Sequence, residues 1–145
     1  MIRETEKRLL PGAACAVLFV HGILGSPAQF APFLPLVPQD WSFCNLLLQG
    51  HGGGARDFSA ASMAVWREQT RRAFAELRAR HETVVIAAHS MGTLFAVQEA
   101  VRSPVEGLFL LNVPLHVHVR SRALHNGWLN YGGTPREPWG QAAHI

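Results

Sequence analysis

The chain has 145 residues, of which 48% are hydrophobic and 16% charged, with a formal net charge of +3. That length supports one domain with its own core, and the composition is too apolar for a disordered segment. The arginines are scattered or fall on one amphipathic stretch, with no basic block interleaved with aromatics, so nucleic acid is not an expected partner.

At the N-terminus Arg3, Lys7 and Arg8 precede an apolar run, but Glu4 and Glu6 intervene and Pro11-Gly12 breaks the segment, so no secretory signal is read. The run ACAVLFV (14–20) predicts a strand buried on both faces. Ser26-Pro27 supplies an N-cap and an N1 proline, which predicts a short helix ending near Pro35 or Pro38. WSFCNLLLQ (41–49) predicts a second strand, closed by the glycines at 50–54. From Ser62 to Arg80, Trp66, Ala73, Phe74 and Leu77 recur at helical spacing and predict an amphipathic helix lying on a sheet. TVVIAA (83–88) predicts a third strand, Met91–Val101 a helix, and VEGLFLLNV (105–113) a fourth strand.

Apolar strands alternating with helices predict an α/β fold, a parallel sheet with helices on both faces. After Pro114 the period is lost. Cys15 and Cys44 lie inside apolar runs and read as buried free thiols, which fits a reducing, cytoplasmic compartment. No apolar run reaches the roughly 18 residues of a membrane span.

Ligand sites in such sheets lie at the carboxyl ends of the strands. There the sequence carries His21-Gly22-Ile23-Leu24-Gly25-Ser26 after the first strand, Gly50-His51-Gly52 after the second and His89-Ser90-Met91-Gly92 after the third. Ser90 is either an ordinary N-cap residue or a nucleophile raised on a sharp strand-to-helix turn. Small residues two before and two after, Ala88 and Gly92, suit the second reading, because strand and helix must approach closely there.

Over about residues 14–114 these motifs, in this order, resemble the α/β-hydrolase family, in particular its small carboxylesterase and monoacylglycerol-lipase-like members. The family's Gly-x-Ser-x-Gly elbow stands here as Ala88-His89-Ser90-Met91-Gly92, with alanine replacing the first glycine. The resemblance implies a serine hydrolase of small carboxylic esters working through an acyl-enzyme on Ser90, without a cofactor. It also implies an oxyanion hole from the N–H groups of Ile23 and Met91, with His21, Gly22, His89 and Gly92 supporting the motif. Residues 1–114 would form the core and 115–145 the start of a cap or an irregular tail.

The family's acid and histidine follow the serine in the chain, yet no aspartate occurs after Ser90. Glu99 falls on a helix and Glu106 at the wrong end of a strand; only Glu137, followed by His144, lies in loop. Two expectations follow: a compressed triad of Ser90, Glu137 and His144, or a chain that is the N-terminal part of a longer hydrolase. In the second case the strand at 105–113 is an exposed edge through which the chain self-associates.

A non-catalytic module of the same fold, binding an apolar ligand or a protein partner, is the alternative function. HGGG at 51–54 spells the oxyanion motif of another lipase branch but follows the wrong strand, so His51 reads as structural. A phosphate site on those glycines would need a helix directly after them, and none is legible. His116 and His118 could face one way on a strand and hold zinc, but no accompanying ligand cluster exists and no metal is expected.

Overall fold

The structure is a computed structural model that describes residues 4–115. Five strands form one sheet in the order β1-β3-β2-β4-β5, where β1 is Glu6–Arg8, β2 Cys15–Val20, β3 Ser42–Leu46, β4 Thr83–His89 and β5 Gly107–Leu111. All neighbours pair in parallel except β1, which runs antiparallel to β3. The apolar runs at 14–20 and 83–88 become the adjacent central strands, and Ala16, Leu18, Val20, Val84, Ile86 and Ala88 are all fully buried.

Three helices connect the strands: α1 (Ala55–Ser59), α2 (Met63–Arg78) and α3 (Met91–Arg102). Ser62 caps α2 by accepting the Val65 N–H, and its apolar stripe of Trp66, Ala73, Phe74 and Leu77 packs on the sheet. Phe95 and Ala96 of α3 join the same core. The opposite face is covered by 3-10 turns at Pro27–Gln29 and Leu34–Leu36, with Phe30 buried against Val17 and Phe19.

Those turns replace the single helix expected after Ser26. The Ser26 cap is present, its Oγ accepting the Ala28 N–H at 3.3 Å. However, Pro32, Pro35 and Pro38 each remove a backbone donor, so an α-helix cannot propagate.

Two elements were not expected. The charged strand β1 is held by side chains: Lys7 pairs with Glu76 at 2.6 Å, Glu6 accepts from Asn45 Nδ2 at 2.9 Å, and Arg8 donates to the carbonyls of Pro38 and Trp41. A short charged edge of this kind resists pairing with other chains. The helix α1 does begin directly after the glycines, but Asp57 Oδ2 accepts the Gly54 N–H at 2.9 Å. A carboxylate already occupies that one-turn helix start, which disfavours a phosphate there.

Candidate active site

Three strand ends, those of β2, β4 and β5, come together at the carboxyl end of the sheet. Leu24 after β2, Ser90 after β4 and Asn112 after β5 have φ of 57°, 51° and 52°, the only non-glycine residues with positive φ among those described. Such conformations cost about 1–3 kcal/mol each and persist where the surrounding structure holds them. All three lie at the carboxyl ends of parallel strands.

Ser90 joins β4 to α3 with φ 51° and ψ −122°. Its N–H donates to Leu111 O at 2.9 Å, and its carbonyl accepts from the Thr93 hydroxyl at 2.6 Å and the Thr93 N–H at 3.0 Å. The side chain is half-buried. Behind it the backbones nearly touch: a Cβ on Gly92 would stand 2.3 Å from Val20 O and 2.7 Å from His21 O. Any residue but glycine would push α3 off the end of β2. Ala88, by contrast, is fully buried in β4 with its methyl group in the core, so its position accommodates alanine.

The loop after β2 is packed against the same serine. A Cβ on Gly22 would come within 2.9 Å of Ser90 Cβ and 3.0 Å of His89 Nδ1. Gly22 O accepts from the Gly25 N–H at 3.1 Å and from the His21 ring at 2.8 Å, while the Gly22 N–H donates to Gln29 Oε1 at 3.2 Å. His21 Nε2 accepts the Leu48 N–H at 3.1 Å, which fixes the ring proton on Nδ1. His21 therefore ties the Gly22 loop to the chain leaving β3. Burial, helped by the neighbouring His51, lowers its pKa from 6.5 to about 4, so it is neutral in ordinary buffers.

Ile23 and Leu24 are exposed at the tip of this loop. Among the described residues the N–H groups of Ile23 and Met91 have no hydrogen-bond acceptor. Between this loop and the Gly-rich turn after β3 a cavity of about 460 Å³ is lined by residues including Leu24, Ser26, Gln29, His51 and Phe58; Ser90 and Met91 do not line it. His51 is buried in edge contacts with His21, Phe58 and Trp66, and burial lowers its pKa too.

His89 and Asn112 pair across the crevice, Nε2 to Nδ2 at 3.3 Å. Asn112 and Gln29 were not singled out from sequence. Asparagine tolerates the left-handed region, so Asn112 just before Val113-Pro114 was a readable signal for a turn; nothing local marked Gln29. Neither expected-to-be-excluded carboxylate reaches the serine. Glu99 is buried on α3 beside Arg102, and Glu106 pairs with Arg78 at 2.6 Å just before β5, at the opposite end of that strand from Ser90. Glu137, His144, His116 and His118 lie outside the described residues.

Known structures share this fold. One of two metagenome-derived lipolytic enzymes, LipS and LipT, superposes with a TM-score of 0.70 at 22% identity, covering 94% of this chain and 54% of its own. A thioesterase domain from the curacin biosynthetic pathway gives 0.61 at 21%, covering 91% and 55%. MenH from S. aureus gives 0.60 at 14%, covering 89% and 49%. The chain thus has the α/β-hydrolase fold and spans about half the length of these proteins. No family model and no curated protein matches it. Among the described residues no helix is long and apolar enough to cross a membrane.

Proposed function

We propose that the chain carries the nucleophile and oxyanion hole of a serine hydrolase acting on small carboxylic esters. The observation that carries this reading is Ser90, held at φ 51° on the turn between β4 and α3 with Gly22 packed against it. In this reading Ser90 Oγ attacks the ester carbonyl and forms an acyl-enzyme. The N–H groups of Ile23 and Met91, unpaired within the described residues, receive the developing oxyanion, the second aided by the N-terminus of α3. The neighbours described as lipolytic enzymes and a thioesterase support a hydrolase.

Neutral His21, with both ring nitrogens engaged, is not the base in this scheme; it holds the loop. The proton from Ser90 passes in this scheme to a histidine outside the described residues; the pair expected from the sequence is His144 with Glu137. A cytoplasmic setting accords with Cys15 and Cys44 both being free.

The test is labelling by a fluorophosphonate probe together with hydrolysis of a short p-nitrophenyl ester. Wild type is expected to label and turn over, and Ser90→Ala to lose both, with turnover falling by about 10³-fold or more. A second reading, a non-catalytic module binding an apolar ligand, is favoured by one observation: among the described residues no histidine or carboxylate hydrogen-bonds Ser90 Oγ. Ligand binding without labelling or turnover would decide for it.

A further inference from the structure

Gly22 has no room for a side chain, since a Cβ there would stand 2.9 Å from Ser90 Cβ. Glycine turns freely about φ and ψ, so the peptide planes on either side of it stay fixed only if other groups hold them. The plane after Gly22 carries the Ile23 N–H. Its carbonyl, Gly22 O, accepts from the His21 ring at 2.8 Å and from the Gly25 N–H at 3.1 Å. Because the peptide is planar and trans, holding that oxygen aims the Ile23 N–H the opposite way.

The plane before Gly22 is bonded at its N–H, which donates to Gln29 Oε1 at 3.2 Å. Gln29 itself is exposed, but the backbone that carries it is anchored. It ends the 3-10 turn Pro27–Gln29 and is flanked by two buried residues. Pro27 O accepts from Asn45 Nδ2 of β3 at 2.9 Å, and the Phe30 ring lies 5.0 Å from that of Phe19 in β2, centroid to centroid. The Gln29 amide also lies against Gly25, where a Cβ would come within 2.7 Å of Nε2 and 2.8 Å of Cδ and Oε1. Gly25 does not have a positive φ, so its backbone alone would admit alanine. What the position lacks is space, and the glutamine four residues on has taken it. The turn Gly22–Gly25, which carries Leu24 at φ 57°, thus has the same amide against both of its ends.

On the serine-hydrolase reading of Ser90, on which this depends, we propose that Gln29 is a positioning residue for ester hydrolysis. By bonding the Gly22 N–H from its seat against Gly25, its amide holds the two peptide planes at Gly22 in the orientation that presents the Ile23 N–H to the oxyanion. The ground-state carbonyl has little charge for that N–H to meet. A loop that wanders therefore lowers kcat and leaves KM in place.

The experiment compares the full chain as wild type, Gln29→Met, Gly25→Ala and the double variant. It measures hydrolysis of a short p-nitrophenyl ester, the rate of fluorophosphonate labelling and the urea midpoint. Methionine keeps the length of the side chain and removes the amide acceptor, whereas alanine at 25 keeps the glutamine and unseats it. Each single variant is expected to lower kcat and the labelling rate by about 10- to 100-fold, the scale of a small misplacement of a reacting group, with KM and the urea midpoint unchanged. Both changes act on one amide, so the double variant should lose no more than the worse single one. Wild-type kcat in Gln29→Met, a loss carried by KM, a kcat loss matched by a lowered urea midpoint, or multiplied losses in the double variant overturns the proposal, while Ser90-dependent labelling of wild type leaves the hydrolase reading standing. A wild-type chain without Ser90-dependent labelling removes that reading, and the assignment of Gln29 with it.

Discussion

A Cβ placed on Gly92 would lie 2.3 Å from the carbonyl oxygen of Val20, closer than any real carbon and oxygen approach without bonding. Both partners are main chain, so no side chain can swing aside. Gly92→Ala is therefore expected to destabilise the fold by about 3 kcal/mol or more, the upper range for overpacking. Urea unfolding followed by circular dichroism measures this, and a midpoint within error of wild type would show that α3 is free to shift.

Ser90 stands in a conformation that glycine adopts without cost. Ser90→Gly should abolish probe labelling while raising stability by up to about 1 kcal/mol, the strain relieved less the added freedom of the unfolded chain. A loss of stability would mean that the serine side chain contributes more to folding than its backbone costs.

His21 gives a stability that depends on pH. Its pKa is about 4 in the folded chain against 6.5 ordinarily, because burial disfavours the charged ring. Between those values the unfolded chain holds a proton that the folded chain does not, so stability falls as the pH drops through 6.5 toward 4. The loss amounts to at most about 3 kcal/mol from this residue, and His51 adds to it in the same direction. Denaturant midpoints measured from neutral to acid pH should decline over this window, and His21→Asn should flatten the decline. An unchanged slope in that variant would place the acid sensitivity elsewhere.

Cys44 is buried in β3, and burial pushes its thiol up to about 11. At mildly alkaline pH it should resist a thiol reagent until the chain is unfolded. Cys44→Ala is expected to leave the native reaction trace unchanged and to remove one equivalent in denaturant. Rapid native labelling at Cys44 would show that β3 opens readily.

Local sequence was enough for the central elements. ACAVLFV and VVIAA are apolar throughout because β2 and β4 are covered on both faces, and the Ser62 cap with its apolar stripe marks α2 within two residues. What escaped depends on distant partners. β1 is three charged residues that become a strand only by meeting β3, more than thirty positions away. The extended reading at 41–49 overran because the N–H groups of Leu47, Leu48 and Gln49 leave the ladder for Thr5 Oγ1, His21 Nε2 and Gln69 Oε1.

The site divides in the same way. The elbow is spelled by five consecutive residues, so Ser90 and Gly92 could be read directly. The contact of Gly22 with Ser90, the Gln29 bond to the Gly22 N–H and the pairing of His89 with Asn112 join separate loops, and no spacing along the chain encodes them.

The bond from the Ser90 N–H to Leu111 O also sets an order of events during synthesis. That bond cannot form until residue 111 has been made and β5 has docked, although every residue of the turn itself is made about twenty positions earlier. Until then the strand end lacks that anchor, and the half-buried hydroxyl gains it only as the final described strand closes on the sheet.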